Sequence, residues 1–428
     1  MNRREEREKT VDAPRSDGPG GGTDRARGRR PRVLISPFTN TTNAYIEMQK
    51  ALLAEIGYDV RPLSVRSLLL GEFASLFRRD SVLVFHWLEL RAFARRQGGV
   101  VLSPKGCLVF AFYCLLIGLA RARAIYFVHD HAVHDATGRV RRVSAGMMAV
   151  VRALVDCRVV HAPGFAARYR ARYLPHPLYW DAPGHVPPLA ARRDNPDGPP
   201  TFALLGTIRP YKQIRELLEV WPGECRLDIA GDAEPSYLRA LGEVVRRRAL
   251  VGAVTIEPGF LADDAFERRI AAADVLVLPH AADSMLVSGA FFEAIGRVPM
   301  LVAFATPFMR WAAGQFGNVR LFDSMDALPS CVRAVALGWP ACRGAAASPE
   351  AAREAFGWQA CRERYRRLFD EVLAGRIDES GAEGAEGEVG ESGESGESGE
   401  AGEPDRRAGK SAGGSVAQSG AAAKPAIR

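Results

Sequence analysis

The chain has 428 residues, enough for two or three domains with ample core, and its seven cysteines (107, 114, 157, 225, 331, 342 and 361) form neither close pairs nor metal spacings, which excludes a disulfide framework and points to reduced, mostly buried thiols. Net charge is +7, but residues 377 to 405 hold eleven acids and no base, so the remainder stands at +18. That balance suits anionic small molecules or an anionic membrane surface; no ladder of Lys and Arg interleaves with aromatics, so nucleic acid is not an expected partner.

Residues 1–30 are charged and Gly-rich with no apolar core behind the arginines, which reads as a disordered arm rather than a secretory signal and implies a cytoplasmic protein. Short apolar runs and helical patterns then alternate, the mark of a doubly wound α/β arrangement. RVLISPF (32–38) reads as the first strand; the loop after it, from Ser36, carries Asn43 and Tyr45 and feeds a helix. In SVLVFHWLEL (81–90), His86 and Trp87 fall at a strand end. These four side chains are candidate site residues at strand ends, with core packing an alternative for Trp87.

CLVFAFYCLLIGLA (107–120) is an apolar run flanked by Lys105, Arg121 and Arg123, with Arg91, Arg95 and Arg96 upstream. It is shorter than the ~20 residues a membrane span needs. Two readings stand: a buried helix, or a monotopic surface helix docked beside anionic lipid.

IYFVHDHAVHDA (125–136) delivers His129, Asp130, His131, His134 and Asp135 to one loop after a strand. A carboxylate or imidazole there is suited to taking a hydroxyl proton. The same His-x-His-x-x-His spacing also fits ligands of a zinc or iron hydrolase. The Asp placement of the His-x-His-x-Asp-His motif is missing, however, and no matching downstream ligands follow, so no metal or other cofactor is expected.

The Pro-rich stretch 175–200 interrupts the alternation and marks a junction. A second α/β copy follows, with strands FALLGTI, CRLDIAGD, VTIEP, DVLVLPH and MLVAFA. In TFALLGTIRPYKQIRELLEVW (201–221), a buried strand ends at Gly206, a loop presents Arg209 and Lys212, and a helix begins. DVLVLPH (274–280) leads to SGAFFEAIG, where Ser288 and Gly289 open a helix. Unpaired amides at a helix start attract anions, Gly289 admits close approach, Arg209 can fork two oxygens and Lys212 adds a point charge. The two segments together read as a metal-free clamp for a nucleotide diphosphate. The tail from Arg376 carries GES repeats and almost nothing to bury, so it too reads as disordered.

The order of GTIRPYK, IAGD and AADVLVLPH...SGAFFEAIGRVPMLVAFATPF, closed by FGWQACRERYRRLFDEVL (356–373), resembles a GT-B glycosyltransferase of the family 4, bacterial exopolysaccharide type. The resemblance covers most of 200–375. It implies two Rossmann-like α/β domains facing across a cleft, with an acceptor-side domain at 31–182, a linker at 183–199, a nucleotide-sugar domain at 200–347, a closing helix at 348–375 crossing back to the first domain, and disordered tails at 1–30 and 376–428.

Carried over by position, Arg209, Lys212, Ser288 and Gly289 would bind the donor diphosphate and Glu293 the ribose hydroxyls. The family's paired glutamates stand eight apart, but the position eight before Glu293 is Met285; Asp283 is the candidate to cover part of that role. His129 would approach the donor sugar, with Asp130 and His134 nearby as further catalytic candidates, an inverting enzyme needing a general base there and a retaining one not; similar loops in the family contact the acceptor, which makes Asn43, Tyr45, His86 and Trp87 the acceptor candidates.

The implied activity is transfer of a hexosyl unit from a nucleotide-diphosphate sugar to a saccharide or polyprenyl-diphosphate-linked acceptor, by a cytoplasmic protein with peripheral contact to the inner face of the membrane. The competing expectations are a metal-dependent hydrolase built on His129, His131 and His134, and a non-catalytic scaffold of polysaccharide assembly, the latter motivated by Met285.

Overall fold

Two parallel sheets organise the chain in a computed structural model that describes residues 30–40, 44–96, 99–133, 136–185, 198–280, 285–342 and 349–376. Asn43, His134, Asp135, Asp283 and both tails lie outside the described residues. In spatial order the first sheet runs Asp59–Pro62, Arg32–Ser36, Ser81–His86, Arg123–Phe127, Cys157–Val160, Arg172–Tyr173. The second runs Val254–Pro258, Leu227–Gly231, Phe202–Leu205, Val275–Leu278, Met300–Phe304, Val319–Phe322. Central strands are apolar along their whole length because helices cover both faces; every residue of Ser81–His86, Phe202–Leu205 and Val275–Leu278 is buried.

The strand Val319–Phe322 and the antiparallel hairpin Phe93–Arg96/Gly99–Leu102 were not legible in the sequence pattern. Each is short and carries exposed or basic residues, so neither produces a buried run.

Each sheet reverses direction from its first strand: in the first sheet between Arg32–Ser36 and Ser81–His86, in the second between Phe202–Leu205 and Val275–Leu278. Loops leaving the carboxyl ends of strands at such a reversal diverge and leave a crevice, the usual ligand site of open α/β sheets. Those loops carry Trp87 on the first sheet and, on the second, Gly206 to Lys212 and the approach to Ser288.

The helix Trp358–Leu373 packs back on the first sheet's layer. Trp358, Cys361, Tyr365 and Phe369 are buried in one apolar cluster with Met48, Leu52 and Leu53. Polar ties hold its edges: Trp358 Nε1 donates to Glu55 at 2.6 Å, and Arg172 pairs with Glu371 at 2.9 Å. A further apolar cluster contains side chains of both halves, among them Phe85 and Tyr113 from the first and Phe291 and Phe292 from the second.

Candidate active site

On the second sheet, Gly206 has φ +94° and turns the chain out of its strand. Gly231, at φ +149°, ends the neighbouring strand so close that a Cβ there would lie 1.8 Å from the Gly206 carbonyl oxygen. Only glycine admits that contact. The loop is then tied down, Gly206 N donating to Ala230 O at 3.0 Å and Ile208 N to Asp232 O at 2.7 Å. Arg209 is held at the mouth by Asp232, at 2.7 Å. Lys212 is buried, and its amine stands 3.5 Å from where a Gly206 Cβ would be. Burial, with Arg209 nearby, pulls its pKa down to about 8, so it stays mostly charged at neutral pH yet poorly compensated.

Ser288 caps the helix Gly289–Ala294 without a side-chain capping hydrogen bond, and Tyr179 Oη sits 3.4 Å from the Cβ position of Gly289. The helix is only six residues long, so the free backbone amides rather than a long dipole are its contribution. Glu293 follows on it, its carboxyl pushed up to about 8 by burial and by Glu267. Met285 and Ser288 line a recess with Leu278, Thr306 and Phe308. Leu286 N donates to His129 O at 3.1 Å, which joins this loop to the opposite wall.

The first-sheet wall is a chain of hydrogen bonds whose proton positions follow from its anchor. His161 Nδ1 donates to the Leu174 carbonyl at 2.8 Å, so Nε2 is an acceptor and Tyr45 Oη donates to it at 2.7 Å. Tyr45 oxygen can then only accept, which turns the Gln49 amide nitrogen toward it (3.4 Å) and the Gln49 oxygen toward His86 Nε2 (2.7 Å). His86 Nε2 therefore carries a proton, Nδ1 accepts from His129 Nε2 at 2.9 Å, and Nδ1 of His129 remains as an acceptor. Among the described residues no hydrogen-bond partner meets that nitrogen. Burial holds His86, His129 and His176 well below the usual imidazole range and His161 at about 4, so all four are neutral at pH 7.

Half-buried Trp87 stacks on His129 with centroids 4.3 Å apart, and at φ +47° it occupies a backbone region bulky residues avoid. Tyr45 and His86, expected to meet an acceptor directly, are instead almost fully buried one layer behind His129. Their alternative to surface contact is to orient it. The histidine loop also diverges: His129 faces this wall, whereas Asp130 is buried and His131 Nδ1 bonds the Tyr169 hydroxyl beside Phe165. His129 bonds His86 and His131 bonds Tyr169, so the two imidazoles are spent on different partners and do not converge as ligands. Among the described residues no three His, Cys, Asp or Glu side chains are arranged to hold a metal ion.

Sequence reasoning missed Gln49, His161, His176 and Tyr365. Gln49 stands four residues after Tyr45, hence on the same helix face, which was the available signal. His161 and His176 arrive from distant strand ends, and Tyr365 from the last helix.

No family model and no curated protein matches the chain. Solved structures match its fold. Sucrose-phosphate synthase from Thermosynechococcus elongatus superposes over 81% of this chain and 100% of its own, with a TM-score of 0.61 at 16% identity. Anabaena HepE, solved with UDP, superposes over 80% of this chain and 100% of its own at TM-score 0.52 and 13% identity. HepE has also been solved with UDP and glucose, and that structure gives a TM-score of 0.51. The chain has the GT-B glycosyltransferase fold. Within a GT-B fold the two walls just described face each other between the sheets, and the hydrogen bond from Leu286 to His129 is one of their points of contact.

Proposed function

We propose that the protein is a glycosyltransferase of the family 4 type that moves a hexosyl unit from a nucleotide-diphosphate sugar to a saccharide or polyprenyl-diphosphate-linked acceptor, in exopolysaccharide synthesis at the cytoplasmic face of a membrane. The observation that carries this reading is the pairing of a buried, undercompensated Lys212 and Arg209 at one strand reversal with a neutral histidine, locked in one tautomer, across the cleft.

The donor diphosphate lies against Arg209, Lys212 and the amides from Ser288 and Gly289. Glu293 meets the ribose, with Asp283 the candidate for the sugar contacts that Met285 cannot make. The acceptor oxygen forms a bond to the anomeric carbon as the bond from that carbon to the phosphate oxygen breaks; the diphosphate leaves with the electron pair, and the acceptor's proton passes to His129 Nδ1 in an inverting reaction or to an oxygen of the departing diphosphate in a retaining one. Cations placed where negative charge grows supply the main stabilisation. His129 Nδ1 accepts a hydrogen bond from a sugar or acceptor hydroxyl, and Trp87 offers its face to an acceptor ring. No metal is needed for this chemistry.

Thermal unfolding with UDP, GDP, ADP and inorganic phosphate, with and without EDTA, tests the reading. HepE was solved with UDP, which makes UDP the first ligand to try. At a hundredfold excess over Kd, a ligand of the folded state adds about 2.7 kcal/mol. We expect a rise of several degrees with one diphosphate, unaffected by EDTA and absent in Arg209→Ala; a lack of response to every nucleotide would sink the assignment.

A further inference from the structure

We infer that the outer face of the first half, built by residues 65–77 and the helices Pro104–Leu119 and Gly138–Leu154, docks on an anionic lipid bilayer. The helix Pro104–Leu119 is apolar all round: Phe110, Tyr113, Leu116 and Ile117 are buried, while Leu108, Leu115 and Leu119 face outward, Leu108 at 74% exposure. A helix of that kind needs an apolar medium on both sides. No helix among the described residues is long and apolar enough to cross a membrane. The medium outside therefore has to be met sideways.

A second exposed apolar set lies against its far end. Leu69 is 83% exposed and Leu70, Phe73 and Phe77 are also exposed. Their segment is tied to the helix by the amides of Arg121 and Ala122, which donate to Leu76 O at 2.8 and 2.9 Å. The neighbouring helix Gly138–Leu154 adds exposed Val143 and Val150. Three adjoining segments thus each present exposed large apolar side chains, more than scattered surface leucines account for.

Charge names the occupant. Residues 65–77, 104–121 and 138–154 contain one acid, Glu72, which is engaged by Arg32 at 2.8 Å. Arg66, Lys105, Arg121, Arg139 and Arg142 are all exposed on the same three segments. Exposed apolar and basic side chains on the same segments, with no free acid among them, are the pattern of an interfacial surface on acidic lipid. A second copy of the chain would set like charges against each other across a twofold axis.

The face also borders the cleft. The turn Leu88–Ala92, directly after Trp87, leads to the apolar helix through Ser103 N donating to Ala92 O at 2.8 Å. The loop after His129 is held to the other helix by Val133 N donating to Ser144 Oγ at 2.8 Å. A lipid-linked acceptor in the bilayer would thus reach the first-sheet wall; only this last step rests on the proposed function.

Co-sedimentation of the full chain with vesicles of phosphatidylcholine alone, or of equal parts phosphatidylcholine and phosphatidylglycerol, tests the docking without any turnover. We expect binding to the acidic vesicles only, weakened by salt. Leu108→Ser with Leu115→Ser, and separately Leu69→Ser with Phe73→Ser, should lower it about tenfold or more, and Arg66→Gln with Lys105→Gln by a similar factor. All six positions are exposed, so folding should persist, which the unfolding midpoint checks. The inference is overturned by no binding to either vesicle, by binding that the substitutions leave untouched, or by a dimer in analytical ultracentrifugation that the same substitutions dissolve. Vesicle binding without any nucleotide response would keep the docking face and remove the glycosyltransferase reading.

Discussion

On the first-sheet wall of the cleft four histidines are kept neutral by burial and the protons of three, His161, His86 and His129, are fixed in one direction by hydrogen bonds, whereas on the second-sheet wall Arg209 and Lys212 keep charge beside bare backbone. The first wall spends its polar groups on one another and leaves a single outward acceptor. The second leaves its cations largely unspent, apart from the Arg209–Asp232 pair. Neutral, oriented groups suit hydroxyls, and unspent cations suit a departing diphosphate.

The comparison breaks most visibly at the charged wall. Arg209→Ala should lower kcat/KM by about a hundredfold or more, of order 3 kcal/mol, as loss of a preorganised charge-stabilising donor does. Steady-state kinetics with the nucleotide sugar found in the unfolding experiment checks this, and unchanged turnover would remove Arg209 from the site.

At the neutral wall the effect should be smaller. Gln49→Leu interrupts the relay without touching the cleft surface, and we expect roughly tenfold lower kcat with little change in donor KM. Nitrogen-detected NMR should at the same time show His129 shifting from one tautomer to a mixture. A single tautomer persisting in that variant would show that Gln49 only packs, since a structural role alone does not move this signal.

The smallest effect sharpens the contrast through pH. Lys212 has a folded pKa of about 8, and a bound diphosphate raises it, so binding takes up a proton as pH rises above that value. Nucleotide affinity should be level below about pH 7.5 and fall above 8, with Lys212→Met reducing the fall and Glu293→Gln removing the part due to the carboxyl that ionises near the same pH. The histidines contribute with the other sign: their folded pKa values lie below the unfolded one, so their burial destabilises only as pH falls below about 6.5. An affinity that instead declines on acidification through neutral pH would show that a histidine of the first wall titrates near its ordinary value and is not held low by burial.

Much of the second half was legible in the chain because its features are local. A strand, Gly206, two cations and a helix follow each other within twenty-one residues, and each is set by short-range chemistry. His129 and Trp87 were legible for the same reason, as polar or aromatic residues at the end of a buried strand. The relay behind His129 was not: Gln49 and His161 were not singled out, and Tyr45 and His86 were singled out for acceptor contact, because these residues are separated in the chain and meet only when the strands and the first helix pack. The apolar run 107–120 likewise signalled an unusual helix, but not which of its sides would stay outside.

By itself the sequence determined the alternation of strands and helices, the place of the cationic loop and the distribution of charge, because periodicity and residue type act within a few positions. Tertiary structure alone decided which protons the histidines carry, that Tyr45 and His86 stand behind the cleft rather than in it, and that the leucines of two separate, adjoining segments stay exposed, because tautomer and burial are properties of neighbours that only packing brings together.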